Sequence, residues 1–228
     1  MSTTRDDAGS LSRSQEDYLK QIFLLAEVEE TVTTQALAEK LSVRPPSVTG
    51  MLKKLATQGL VEHQPYRGVR LTDAGRQAAM KLLRLHRLLE TFLHQVLGYT
   101  WDQVHDEAER LEHFISERFA SRMAETLGNP THDPHGDPIP SAQLDFPPSS
   151  PQVTLSDLPE GGHGTLVRVL AQDRDTLNLL TRLALVPGMR LVVLETLESG
   201  VRLETDGERF LLPRSLAEEL LVVEERAR

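Results

Sequence analysis

The 228-residue chain has a formal net charge of −9, with 26% charged and 39% hydrophobic residues and no cysteine. Disulfides, thiolate nucleophiles and cysteine-ligated zinc are excluded, and no run approaches the ~20 apolar residues of a membrane span. The acidic balance argues against binding nucleic acid through overall charge. It leaves room for a local basic face, since salt screens charge beyond about 10 Å. Residues 1–14 are polar, include Asp6 and Asp7, and lack the apolar core of a signal peptide, so a soluble cytoplasmic protein with no membrane partner is expected.

In chain order, residues 12–28 read as a helix that Ser12 or Ser14 can cap, with Tyr18, Ile22, Leu25 and Ala26 in one stripe. Thr33 opens a short helix to Leu41. After the turn Ser42-Val43, Arg44-Pro45-Pro46-Ser47 begins a third helix that Gly59 ends. Leu60–His63 and Val69–Leu71 read as strands around Gln64-Pro65-Tyr66-Arg67-Gly68. This is the winged-helix order. Thr72-Asp73 begins a long helix, and a further helix is predicted over about 100–126. Residues 128–151 hold seven of the thirteen prolines and predict an extended linker. Beyond it, Thr165–Leu170, Arg190–Leu194, Val201–Glu204 and Arg209–Leu212 alternate like short strands, with one helix at about 174–184, which predicts a small β-barrel.

Two constellations carry chemistry. Between Lys40 and Thr72 stand six basic residues, Lys40, Arg44, Lys53, Lys54, Arg67 and Arg70, against Glu62 alone. A basic module within an acidic chain is what local phosphate contact requires. In the third helix Ser47, Thr49 and Gly50 are small enough for close approach to the major groove, and only Arg44 offers bidentate base readout. Lys53 adds phosphate contact, and Tyr66 and Arg67 stand at the wing tip.

The second constellation is His105-Asp106-Glu107-Ala108-Glu109-Arg110-Leu111-Glu112-His113. At about 100° per residue, His105, Glu109, Glu112 and His113 share a sector roughly 100° wide. His86 and Glu90 share another face at i and i+4, and Asp17 is a further candidate in the first helix. Paired charges at helical spacing are commonly a solvated face. Here the residues are metal-capable types recurring on adjacent helices, and Leu82–Leu97 provides apolar surface to press those helices together. Burying such clusters is tolerable once a cation neutralises them. His132, His135 and His163, in linker or turn contexts, read as solvent-exposed bystanders.

The chain resembles the diphtheria toxin repressor family of metal-dependent transcriptional regulators over nearly its whole length. The resemblance rests on Glu16-Asp17-Tyr18-Leu19, Pro46-Ser47-Val48-Thr49, His86 with Glu90, Val104-His105-Asp106-Glu107-Ala108, Leu111-Glu112-His113 and Asp137-Pro138-Ile139-Pro140. It implies a multi-domain α+β chain: a winged helix-turn-helix DNA-binding domain (1–73), a helical metal-binding and dimerisation domain (74–127), the Pro-rich linker (128–151) and an SH3-like domain (152–228). It implies a primary metal site of Asp17, Glu109, Glu112 and His113, and an ancillary site of His86, Glu90 and His105 completed by Gln172 and Asp175. Iron-responsive members carry methionine and cysteine where this chain has Asp17 and Glu109; manganese-responsive members carry Asp and Glu. An oxygen-rich site without sulfur suits Mn²⁺ over Fe²⁺. Lys20 stands where the short manganese-type members place a second carboxylate.

The expected function is a metal-loaded homodimer that binds a palindromic double-stranded DNA operator and represses metal uptake genes. Its apolar interface is expected over 82–97 and 101–123, with Trp101, Leu111, Phe114, Ile115 and Phe119. The alternatives are an iron-dependent member of the same family, a winged-helix regulator answering to another ligand, and a metallohydrolase. Glu112-His113 matches only the tail of the H-x-x-E-H zinc motif, with Glu109 in place of its first histidine.

Overall fold

Local signals set the first elements. The computed structural model describes residues 11–29, 31–64 and 68–225. Helix α1 spans Arg13–Ala26, and Gln15 Oε1 accepts from the Ser12 backbone N–H at 3.1 Å. Helix α2 (Thr34–Lys40) is capped by the Thr33 hydroxyl, which accepts from the Ala36 N–H at 3.0 Å. Helix α3 (Pro45–Thr57) starts on proline, whose missing N–H is no loss in a first turn. Strands β1 (Val61–Gln64) and β2 (Gly68–Leu71) pair antiparallel, and Val32 bridges to Val69.

The chain divides into two compact units, one through Leu85 together with 142–144, the other His86–Ser141 with Asp145 onward. In the first, Leu19, Ile22, Leu37, Val48, Leu52 and Leu55 are wholly buried. Each such side chain contributes roughly 1.5–3 kcal/mol relative to exposure. Gly75 marks a close approach within this unit, since a Cβ there would lie 1.9 Å from the Leu60 carbonyl oxygen. Helix α4 (Asp73–Gln95) begins in this unit and ends in the second.

The second unit continues with α5 (Val104–Leu111), a 3-10 turn (Glu112–Phe114) and α6 (Glu117–Thr126). The single helix expected over 100–126 is therefore broken. Ile115 is extended (φ −81°, ψ 124°), and Ser116 restarts the helix as a cap accepting from the Phe119 N–H at 3.3 Å.

The proline-rich segment is also not a simple linker. Asp133, His135, Asp137 and Ile139 are buried. Asp133 Oδ1 accepts from the backbone N–H groups of His135 and Asp137, each at 2.9 Å, closing a tight loop. Gly136 (φ +86°) lets that loop touch a strand, since a Cβ would lie 2.0 Å from the Val167 carbonyl oxygen.

The barrel portion comprises β3 (Val153–Thr154), β4 (His163–Val169), α7 (Arg174–Arg182), β5 (Arg190–Leu197), β6 (Gly200–Thr205), β7 (Glu208–Pro213), α8 (Arg214–Ala217) and β8 (Leu220–Glu225). The strands form one antiparallel sheet in the order β3-β8-β4-β5-β6-β7. Its core includes Leu166, Val169, Leu177, Leu180, Val193 and Leu203, all fully buried. Strands β3 and β8 were not expected from the alternation pattern. No described helix is long and apolar enough to cross a membrane.

Asp173 caps α7 by accepting from the Thr176 N–H at 2.9 Å, and this bond holds its carboxyl below the usual range. Its stabilisation is present above the unfolded-chain pKa and lost as pH falls through the lowered one. Asp173→Ala should cost about 1 kcal/mol at neutral pH, whereas Asp173→Asn should retain the cap without that acid dependence, as read from urea denaturation at pH 7 and pH 3.

Candidate metal centre

The α4 spacing that puts His86 and Glu90 on one face also buries them, at 5% and 1% exposure. His86 Nε2 lies 3.0 Å from Glu90 Oε1. His105 on α5 brings Nδ1 to 3.1 Å from that same oxygen and 3.2 Å from His86 Nε2. Two imidazole nitrogens and a carboxylate oxygen thus converge on one point. A neutral ring carries one proton, so lone pairs crowd there, and a cation satisfies all three at once. The other His86 nitrogen, Nδ1, is 2.6 Å from Glu112 Oε2. That contact fixes ring orientation and tautomer, as carboxylates behind metal-binding histidines commonly do.

The second oxygen of Glu90 faces a different group. Glu90 Oε2 is 3.9 Å from His135 Nδ1, and Asp133 Oδ1 is 4.0 Å from that nitrogen. His135 is completely buried, not the exposed bystander expected from its proline-rich context. Its Nε2 stands 2.9 Å from the Trp101 carbonyl oxygen, which can only accept, so Nε2 carries the proton. Nδ1 and Asp133 Oδ2 are buried without hydrogen-bond partners. One ligand atom each from Glu90, Asp133 and His135 lies within 4.8 Å of the others, a buried donor set that fits a divalent cation.

Charge points the same way. Burial, with Glu90 and Asp137 nearby, pushes the Asp133 carboxyl well above its ordinary range despite Arg87. Burial also opposes ionisation of Glu90. There the His86 charge, with bonds from His105 and His86 and the His135 charge, outweighs burial and holds the carboxyl well below the usual range. Arg87, itself buried, donates to the Pro138 carbonyl at 2.6 Å and pairs with Asp137 at 3.5 Å and Asp133 at 3.8 Å. Arg168 pairs with Asp137 as well.

Not every predicted ligand joins these groups. Gln172 instead donates to Asp137 Oδ2 at 3.0 Å. Asp175 is exposed in the first turn of α7, because Asp173 takes the cap position and turns Asp175 outward. Glu109 is half exposed, with Oε1 4.0 Å from His105 Nε2. Glu112 is buried, with its Oε1 3.6 Å from His113 Nε2. Asp17, half-buried on α1, belongs to the first unit. Asp133 and His135 were missed. The alternation Asp133-Pro134-His135-Gly136-Asp137 is the signal that could have found them.

Trp101 is not at an apolar surface as expected. It is 6% exposed in the barrel core. Phe114, Leu97, Phe119, Val96 and Tyr99 are exposed.

On α3, Arg44, Pro46, Ser47, Gly50 and Lys53 are exposed. The Thr49 hydroxyl donates to the Pro45 carbonyl at 3.2 Å, which leaves its methyl group for outside contact. Tyr66 and Arg67 lie outside the described residues.

A winged helix, buried His/carboxylate clusters and a small barrel are together the parts of a metal-dependent DNA-binding regulator. Three family descriptions match in succession: "Iron dependent repressor, N-terminal DNA binding domain" over residues 10–69, "Iron dependent repressor, metal binding and dimerisation domain" over 72–141, and "FeoA domain" over 153–224. The chain is 35% identical over 214 residues to the iron-dependent repressor IdeR of Mycobacterium tuberculosis (strain ATCC 25618 / H37Rv), covering 89% of this chain and 93% of that protein. A solved "Manganese-dependent transcriptional repressor complex with manganese" has a TM-score of 0.86 at 40% identity, covering 92% of this chain and all of that one. The manganese regulator SloR has a TM-score of 0.73 at 35% identity, covering 92% and 98%. The chain belongs to the iron-dependent repressor family, with IdeR and the diphtheria toxin repressor, and is a metal-dependent transcriptional repressor.

Arg87→Met would leave Asp133 and Asp137 buried without this cation. The metal-free protein should lose about 3–5 kcal/mol in chemical denaturation, and saturating Mn²⁺ should recover part of it.

Proposed function

We propose that this repressor answers to Mn²⁺, binding its operator as a homodimer when loaded. The observation that carries the reading is Glu90, whose two oxygens serve separate donor groups containing only imidazole and carboxylate. One group is His86, Glu90 and His105; the other is Glu90, Asp133 and His135. By the family's pattern Asp17, Glu109, Glu112 and His113 form the primary set. With no cysteine in the chain, every candidate is a hard or borderline donor, which suits Mn²⁺. The manganese-dependent repressor of known structure supports this choice. Fe²⁺ is the second reading, favoured by the likeness to IdeR.

A bound cation supplies the positive charge that lets Asp133 ionise and Glu90 stay desolvated. His86 is held for this role by Glu112, and His135 by the Trp101 carbonyl. Metal and operator favour the same state, so each raises affinity for the other. Two recognition helices, each α3 with Arg44, Pro46, Ser47, Thr49, Gly50 and Lys53, meet half-sites about one helical turn apart or a multiple of it. By their place in the sequence Tyr66 and Arg67 are assigned further DNA contacts, and exposed Phe114, Phe119 and Leu97 supply the dimer face. The regulated genes are metal uptake systems.

Anisotropy of a duplex carrying the promoter of a neighbouring metal transporter tests this directly. Mn²⁺ should promote binding at lower concentration than anaerobic Fe²⁺, and chelator should release the duplex. Binding indifferent to chelator would overturn the switch. The double variant Asp17→Met with Glu109→Cys should move preference away from Mn²⁺, and an unchanged metal order would show that oxygen donors do not set selectivity.

Gly50 gives a separate check of the DNA face. A Cβ there would meet nothing within 4 Å. Gly50→Ala should stabilise α3 by about 0.5–1 kcal/mol and yet weaken duplex binding. Undiminished affinity would remove Gly50 from the interface.

A further inference from the structure

We propose that Trp101 is a positioning residue for the metal centre: it selects the tautomer of His135 and thereby ties the centre to the packing of the C-terminal barrel. The inference rests on the reading of His135 as a ligand and concerns how that ligand is prepared.

The chain of contacts is continuous. Trp101 Nε1–H donates to Thr181 Oγ1 at 2.6 Å, and the same hydroxyl donates to the Leu177 carbonyl at 2.9 Å. Leu177 and Leu180, on the same helix α7, are fully buried in the barrel core beside Trp101. The indole stacks on the His135 ring with centroids 5.7 Å apart and planes 19° from parallel. The Trp101 carbonyl accepts from His135 Nε2–H at 2.9 Å. From behind, the Val169 N–H on β4 donates to the His135 carbonyl at 2.8 Å. Ring plane, ring rotation and backbone are therefore all set by barrel residues or by a residue packed among them.

The consequence is chemical. A neutral imidazole donates from one nitrogen and accepts at the other. With Nε2 committed to a carbonyl, the neutral ring, the form that can bind a metal, presents its Nδ1 lone pair toward Glu90 and Asp133. The competing arrangement, a purely structural histidine, would carry a proton on Nδ1 within hydrogen-bond reach of a carboxylate. The separations of 3.9 and 4.0 Å exclude that bond and leave room for an ion. If the indole lost its seat, the ring could rotate or change tautomer and turn an N–H toward the cation. Barrel packing and metal occupancy must then reinforce one another, because each favours the same His135 state.

Three variants of the full chain test this. Thr181→Val removes the indole's anchor at nearly constant shape. Trp101→Leu removes the stack, and Trp101→Phe retains part of it. In metal-free protein, the imidazole ¹⁵N shifts of His135 should report the Nε2–H tautomer in the wild type and a mixture in Thr181→Val and Trp101→Leu. Mn²⁺ affinity at this centre, from electron paramagnetic resonance of free Mn²⁺, should fall about tenfold in Trp101→Leu and less in Trp101→Phe. A wild-type Nδ1–H tautomer would overturn the proposal. So would unchanged shifts and affinity in folded Thr181→Val, whatever Trp101→Leu does to folding. His135→Ala separates the two levels. Should it cost no Mn²⁺ equivalent, the ligand reading fails, while the tautomer shifts still judge whether Trp101 governs the ring.

Discussion

The second unit is organised around a carboxylate removed from water. An ionised Glu90 at 1% exposure is tolerable only if the surroundings return several kcal/mol of lost hydration. Its two oxygens fare differently. Oε1 has His86 and His105 within 3.1 Å, and charge-assisted bonds of that kind are worth roughly 1.5–3 kcal/mol each. Oε2 faces His135 Nδ1 across a gap too wide for a hydrogen bond. The buried atoms left without a hydrogen bond beside it are His135 Nδ1 and Asp133 Oδ2. Asp133, held above its ordinary range largely by burial and by Glu90, is the other side of that imbalance. Of the protein's own cations, Arg87 is shared between Asp137 at 3.5 Å and Asp133 at 3.8 Å, and Arg168 pairs with Asp137.

Covalent geometry places the donors that helices cannot. Asp133 spends Oδ1 on two backbone N–H groups, so its remaining oxygen has one direction to point. Gly136 removes the side chain that would hold the loop off β4. The prolines around it limit the conformations the loop can lose on folding, which lowers the entropic cost of ordering a segment without regular structure. The feature that suggests an extended linker, its proline density, is thus also what makes a rigid, buried ligand loop affordable.

Legibility from sequence followed the range of the physics. The winged helix could be read because its signals are local: Thr33 at a cap, Pro45 in a first turn, Gly59 at an end, and basic residues close together in sequence. His86 with Glu90 and His105 with its neighbours could be read because helical period puts them on one face. Residues whose roles depend on tertiary packing could not. Asp133 and His135 lie in a loop, where no period exists to mark a buried position. Trp101 has the same apolar character in a dimer interface as in a barrel core, and only the Thr181 acceptor tells the two apart. Strand β8 follows α8 in a run, Ser215-Leu216-Ala217-Glu218-Glu219-Leu220, that reads equally well as helix. The break at Glu112–Phe114 was hidden for a similar reason, since Ser116 is as ordinary inside a helix as at its start.

The DNA-facing helix explains why such a molecule benefits from a metal. Among the exposed residues from Arg44 to Gly50, at the N-terminal end of α3, only Arg44 can make a bidentate base contact. The Thr49 hydroxyl is spent within its own helix, and Gly50 offers backbone alone. A glycine in mid-helix costs stability, and nothing in the protein's own packing requires one there. Weak direct readout shifts discrimination onto phosphate contacts and onto the spacing of paired recognition helices, both of which demand geometry more than side-chain chemistry. Geometry is what a cation among buried carboxylates can fix, because it converts charges that repel into a single rigid arrangement.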